Sequence, residues 1–298
     1  MKSGFVAILG RPNVGKSTLL NAVVGDKVAI VSPKPQTTRD AIRGILTRAE
    51  GQIVFVDSPG IHIPQQELGR RMMREVDNAA DGCQAAVLLV DATKRIGPGD
   101  EAAIERVKRL GVPALLGLNK IDALPRKDAL LPLIEAYRTR HEFAEIIPLS
   151  ARRRENVDVI IEALFKLMPE APAFYSEDLV TDQPQRFLAG ELIRERVLFE
   201  TEQEVPHSTA VVIERWEEEP GMLRLWAVIY VERAGQKGII IGNKGAMLKQ
   251  IGESARRSLE SRFDTKVHLE VFVKVTPKWR DKPAFLAELS GAGFLNSD

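Results

Sequence analysis

Short apolar runs alternate with segments whose apolar residues recur every three to four positions. Strand-like runs fall at 5–9, 53–56, 86–90, 114–118 and 146–149, and helix-like stretches at 16–24, 99–110, 128–140 and 157–167. Strands that alternate with helices predict βαβ units and a parallel sheet. Residues 41–48 read as one more strand, turned back through Glu50-Gly51 onto 53–56, so that pair is expected to be antiparallel. Periodicity stops at Pro169-Glu170-Ala171-Pro172, and a Pro- and acid-rich stretch follows to Gln183-Pro184. Beyond it the order changes to a helix (186–202), strands at 209–215 and 223–231 and a short helix (237–241). A glycine-bracketed loop, a long helix (246–263) and a strand (267–275) follow, an αββααβ sequence with an amphipathic tail at 282–289. Residues 1–170 are thus expected to form one domain, 171–184 a linker, and 185–298 a second domain with a C-terminal tail.

Composition changes this picture at three points. Apolar residues at 44% and charged residues at 28% of 298 positions fit a globular chain that buries a sizeable core. No apolar run approaches the ~20 residues that span a bilayer, and the chain enters a strand at once, without a signal-peptide core, so a cytoplasmic location is expected. The lone cysteine, Cys83, excludes an internal disulfide and a cysteine-based zinc site, and reads as a small core residue. The net charge of +1 conceals a gradient, because residues 237–282 carry 11 Lys or Arg against 5 Asp or Glu. That local excess suits a polyanion.

The first strand runs into Gly10-Arg-Pro-Asn-Val-Gly15-Lys16-Ser17, a G-x-x-x-x-G-K-[ST] loop between a strand and a helix. In such a loop backbone N–H groups, here of Asn13, Val14, Gly15 and Thr18, surround phosphates. Lys16 faces the β and γ phosphates, Ser17 binds Mg²⁺, and the helix N-terminus adds its positive end. Asp57-Ser-Pro-Gly60 ends the strand at 53–56. There Asp57 can hold Mg²⁺ through water and Gly60 can offer its N–H to the γ-phosphate, which makes the loop beyond Gly60 a nucleotide sensor. Asn119-Lys120-Ile121-Asp122 ends another strand. The Asp122 carboxylate can accept from guanine N1–H and the 2-amino group, whereas adenine lacks both donors, so the spacing selects GTP over ATP. Leu149-Ser150-Ala151 places a backbone N–H within reach of the guanine O6.

These elements, with Gln36-Thr37-Thr38-Arg39 between the first two, resemble the translation-factor-type GTPases over residues 4–168. The resemblance makes Thr38 the switch threonine for Mg²⁺ and γ-phosphate, with Thr37 as the rival. Lys16, Thr38 and Gly60 are then the catalytic set. Ile61 stands where a Ras-like enzyme has a water-orienting glutamine, so intrinsic hydrolysis is expected to be slow. Asn13 occupies the position at which potassium-activated relatives place a K⁺ ligand; the competing reading is that it only stabilises the loop turn.

In the second domain, Gly242-Asn243-Lys244-Gly245 follows Lys237-Gly-Ile-Ile-Ile241 and resembles the G-x-x-G loop of a type II-like KH domain. Ile241 and residues 242–245 would meet single-stranded RNA, and Lys244, Lys249, Arg256 and Arg257 its phosphates. Trp216 and Trp226 read as core or cross-strand residues. An α/β P-loop GTPase domain, mostly parallel with one antiparallel edge strand, followed by an α+β KH domain, resembles the Era family of bacterial ribosome-assembly GTPases over nearly the whole chain. That resemblance implies GTP or GDP and Mg²⁺ as ligands, the 3′ end region of 16S ribosomal RNA and the small subunit as partners, a monomeric state and peripheral contact with the inner membrane. The alternatives are an RNA chaperone with a structural nucleotide, and a membrane-peripheral signalling GTPase.

Overall fold

The computed structural model describes residues 1–61 and 66–289. The chain forms two compact units. Among the described residues the first comprises 1–29, 38–61 and 71–182, and the second 30–37, 66–70 and 183–289.

The first unit carries β1 (Lys2–Leu9), α1 (Lys16–Val24), β2 (Ile42–Arg48), β3 (Gly51–Asp57), most of α2 (Glu67–Ala80), β4 (Ala85–Asp91) and α3 (Pro98–Leu110). It continues with β5 (Ala114–Asn119), α4 (Leu130–Arg138), β6 (Glu145–Pro148) and α5 (Val157–Leu167). The six strands run in the order β2-β3-β1-β4-β5-β6. Every pair is parallel except β2 with β3, which is antiparallel as the Glu50-Gly51 turn predicts. Both faces of the central strands are covered, so β4 is buried at all seven positions and reads as a continuous apolar run. One core layer gathers Ile8, Leu20, Phe55 and Leu164, the other Leu9, Val76, Cys83, Leu88 and Ile104. Cys83 is a buried core residue, as expected.

Helix α2 was not foreseen. Its buried positions Leu68, Met72, Val76 and Ala80 are single apolar residues four apart, diluted by a strongly charged remainder. The stretch expected as a linker is also ordered. Gln52 accepts from the N–H groups of Phe174 (2.8 Å) and Tyr175 (3.0 Å), and the Ile45 N–H donates to Val180 O at 2.9 Å. Thr181 Oγ1 donates to Arg43 O at 2.6 Å, and Arg43 pairs with Asp182 at 2.7 Å. Residues 180–182 thereby occupy part of the open hydrogen-bonding edge of β2.

The second unit contains α6 (Gln185–Glu200), β7 (Ala210–Glu219), β8 (Met222–Val231), α7 (Ala234–Ile241), α8 (Ala246–Phe263), β9 (Lys266–Val275) and α9 (Pro283–Glu288). β7 and β8 are antiparallel, β8 and β9 parallel, and the order is β7-β8-β9. The αββααβ expectation holds. Alternate residues of β8, among them Leu225, Ala227 and Ile229, pack beneath Leu192, Ile193, Ala255 and Ile251 of the helices. Trp216 packs edge-on against Phe263, and Trp226 lies under the Arg215 guanidinium at 4.6 Å, both structural placements. Residues 30–37 join this unit through α6: Glu195 accepts the Val31 N–H at 3.0 Å, and the buried Arg194 donates to the Thr37 carbonyl.

Candidate nucleotide site and nucleic-acid loop

The C-terminal ends of β1, β3 and β5 bring the candidate groups of the first unit to one edge of the sheet, where open parallel sheets place ligands. The loop between β1 and α1 turns through Gly15 at φ +102°, and a Cβ there would lie 2.3 Å from Asn119 Nδ2. Only glycine combines that backbone conformation with that approach. Asn119 joins two loops, since Nδ2 donates to Val14 O at 2.8 Å and Oδ1 accepts the Ala151 N–H at 2.9 Å. The Ala151 N–H, one of the candidates for the guanine O6 in that tripeptide, is thus held by Asn119. Ser150 Oγ donates to Asp122 Oδ1 at 2.7 Å, which orients the carboxylate expected to read guanine.

Lys16 is buried and its Nζ donates to Gly10 O (3.2 Å) and Arg11 O (3.4 Å). Burial lowers its pKa, and the Asp57 charge offsets part of that. Asp57 is fully buried. Burial pushes its carboxyl up to about 6, against the lowering effect of Lys16 and the hydroxyls of Ser17 and Thr38.

Ser17 Oγ donates to Asp57 Oδ2 at 2.6 Å and shares a 2.8 Å hydrogen bond with Thr38 Oγ1. Thr37 Oγ1 instead donates to Lys34 O at 2.7 Å. Of the two rival threonines, only Thr38 meets the other metal candidates. Asp57 Oδ1 is buried without a hydrogen-bond partner. Two hydroxyls and a carboxylate with a buried unsatisfied oxygen form a hard oxygen donor set that fits Mg²⁺. When bound, Mg²⁺ neutralises charge on the phosphates. Among the described residues no cluster of His, Cys, Asp and Glu forms a separate metal site.

Gly60 and Ile61 follow, with the Ile61 N–H donating to Gly10 O at 3.3 Å and its side chain buried. The sensor loop expected after Gly60 continues into 62–65, which lie outside the described residues. Asn13, at φ +63°, accepts Lys120 Nζ on its carbonyl at 2.7 Å. Two acidic residues that sequence reasoning passed over also serve this edge. Asp100 at the start of α3 pairs with Arg11 of the phosphate loop at 3.2 Å, and Asp91 at the end of β4 holds Lys120 at 2.8 Å. Asp91 could have been found by its position, since it ends a strand at the same sheet edge as Asp57 and Asn119.

In the second unit, α7 ends at Gly242, whose φ of +70° and close approach to the Met247 backbone (2.9 Å from a Cβ) exclude a side chain. Asn243 and Lys244 project into solvent, Lys244 in the left-handed region at φ +50°. α8 buries Ile251, Ala255 and Leu259 and leaves Lys249, Arg256 and Arg257 exposed. Arg256 is partly engaged by Glu260 at 3.0 Å. Ile241 is half-buried against the second core. Ile239, within the isoleucine run noted in the sequence, and Phe272, which the sequence reading did not single out, are half-exposed apolar side chains.

A phosphate loop, a hydroxyl–carboxylate set that fits Mg²⁺ and an Asn-Lys-x-Asp loop on a doubly wound sheet, followed by a KH unit, define a P-loop GTPase with an RNA-binding type of second domain. Residues 5–120 match the family described as 50S ribosome-binding GTPase, and residues 204–280 match the KH domain family. Era from Aquifex aeolicus bound to GDP and AlF₄⁻ is similar at 40% identity and a TM-score of 0.94, covering 98% of this chain and 100% of that one. Era in complex with MgGDPNP and nucleotides 1506–1542 of 16S ribosomal RNA is likewise similar at 40% identity and a TM-score of 0.95, covering 98% and 99%. The chain belongs to the Era family. It is a GTPase that uses a guanine nucleotide and Mg²⁺.

Proposed function

We propose that this GTPase is a nucleotide-dependent switch that binds the 3′ end region of 16S ribosomal RNA through its KH unit during assembly of the small ribosomal subunit. The observation that carries the reading is the exposed Asn243-Lys244 pair between glycines, at the head of a helix bearing Lys249, Arg256 and Arg257. Backbone can approach a single strand closely there while the basic side chains meet phosphates. The likeness to an Era structure holding 16S ribosomal RNA supports the choice of RNA.

In the first unit, Gly15, Lys16, Ser17 and Thr18 hold the phosphates with the loop N–H groups of Asn13 and Val14. Ser17, Thr38 and Asp57 hold Mg²⁺, and Gly60 meets the γ-phosphate. Asn119, Lys120, Asp122, Ser150 and Ala151 select guanine. Charge stabilisation by Lys16, Thr38 and Gly60 carries hydrolysis, since Ile61 offers water no hydrogen bond. Asn13 is the K⁺ ligand if turnover in KCl exceeds that in NaCl at equal ionic strength; equal rates assign it to the loop turn alone.

The test replaces Asn243 and Lys244 by Asp with both glycines retained. Two negative charges against the phosphodiester backbone should lower single-stranded RNA affinity by roughly tenfold or more, and wild-type affinity should fall steeply with salt. Unchanged RNA affinity in the folded variant would place recognition elsewhere.

A further inference from the structure

Asp91 ends β4 directly beside Asn119 of β5, its partner in the parallel register. Its carboxylate is nearly buried, and its two oxygens are divided between two tasks. Oδ1 accepts the Thr93 N–H (3.0 Å) and the Thr93 hydroxyl (2.6 Å), which fixes the plane of the group. Oδ2 accepts Lys120 Nζ at 2.8 Å. The same ammonium donates to the Asn13 carbonyl of the phosphate loop at 2.7 Å. Lys120 leaves its backbone in the left-handed region, at φ +69°, and reaches this point on a flexible four-carbon stem. Burial raises the Asp91 pKa, but the hydrogen bonds from Lys120 and Thr93 outweigh it and hold the carboxyl below its ordinary value.

We propose that Asp91 is a positioning residue for nucleotide binding, which aims the Lys120 ammonium at Asn13 and so pre-sets the spacing between the phosphate loop and the guanine loop. The inference rests on reading 10–17 and 119–122 as those two loops. A lysine that is half-exposed and lacks the carboxylate regains rotamer freedom, and the nucleotide must then order both loops as it binds. Asp91 has no place at the phosphates, so its effect falls on affinity and not on the chemical step. A plain surface ion pair would contribute little to anything, and its loss would leave affinity alone.

The experiment measures equilibrium affinity and dissociation rate of a fluorescent GDP, with KM and kcat for GTP, on the full chain. The proteins are wild type, Asp91→Asn, Lys120→Met, the double variant and Thr93→Ala. Asp91→Asn should weaken GDP roughly tenfold, chiefly by faster release, and raise KM similarly while kcat moves by less than about twofold. The double variant should be no weaker than Lys120→Met alone, because Asp91 acts through Lys120. Thr93→Ala keeps the charge and the backbone N–H at 3.0 Å but removes the hydroxyl that helps fix the plane of the carboxylate, so a loss of about threefold is expected. Wild-type affinity in folded Asp91→Asn overturns the proposal, and so does an additive loss in the double variant. Should Asp91→Asn fail to fold, Thr93→Ala decides, and wild-type affinity there overturns it. If Lys120→Met itself binds GDP normally, the reading of Lys120 as a site residue fails instead.

Discussion

Asp122 sits half-buried with one carboxylate oxygen held by Ser150 Oγ at 2.7 Å. Asp122→Asn turns an acceptor into an amide donor, so GTP affinity should fall and xanthosine triphosphate, whose 2-oxo group accepts from the amide, should gain. One charged hydrogen bond is worth ~1.5–3 kcal/mol, so competition binding with the two nucleotides should show a tenfold or larger change in preference. Lys16→Ala removes the buried side chain proposed to face the phosphates and should abolish turnover. Ile61→Ala should change kcat by less than about tenfold, although loss of a buried isoleucine costs about 2–5 kcal/mol of stability, so its melting temperature must be read alongside. Cys83 offers a check independent of nucleotide. Burial, with the nearby Asp81 charge, pushes its thiol up to about 11. At pH 8 iodoacetamide should modify the native protein slowly and the urea-unfolded protein fast. Rapid modification of native protein would contradict the buried placement.

At the scale of elements, the junction of α1, the phosphate loop and β5 tolerates no side chain at Gly15. Gly15→Ala strains a φ of +102° and drives a methyl group into the Asn119 amide, 2.3 Å from the ideal Cβ. Loss of nucleotide affinity by at least about tenfold is expected in isothermal titration. Most elements were legible because their signals are local: apolar runs for strands, and glycine or proline punctuation such as Glu50-Gly51 and Pro169-Glu170-Ala171-Pro172 at their ends. β7 runs four residues past its expected end, to Glu219. Its register shifts between Ile213 and Arg215, and the acidic Glu217, Glu218 and Glu219 continue the ladder opposite Arg224, Leu223 and Met222. A cross-strand partner, not propensity, extends that strand.

At the scale of the molecule, each unit has its own cores. GDP with Mg²⁺ at a hundredfold excess over its dissociation constant should add ~2.7 kcal/mol to the unit that binds it. Hydrogen exchange should accordingly slow at amides of β1, β3 and β5 far more than at those of β8 and β9. Equal slowing in both units would show that they open as one.

Sequence alone determined the order of most elements, the parallel sheet with one reversed edge strand, the KH unit and the motifs from which the nucleotide-binding loops are proposed. Each of these depends on residues close together in the chain, where periodicity and turn chemistry act directly. Only tertiary structure separates Thr37 from Thr38 by contact, because which hydroxyl reaches Ser17 and Asp57 depends on the path of the chain across the fold. It also brought 180–182 to β2, satisfying the Ile45 N–H and the Arg43 carbonyl of that edge strand from far along the sequence. The Asp91–Lys120–Asn13 chain joins three loops separated by dozens of residues, and no period or spacing records such a contact. Side-chain reach across neighbouring strand ends, set by sheet order and register, created it.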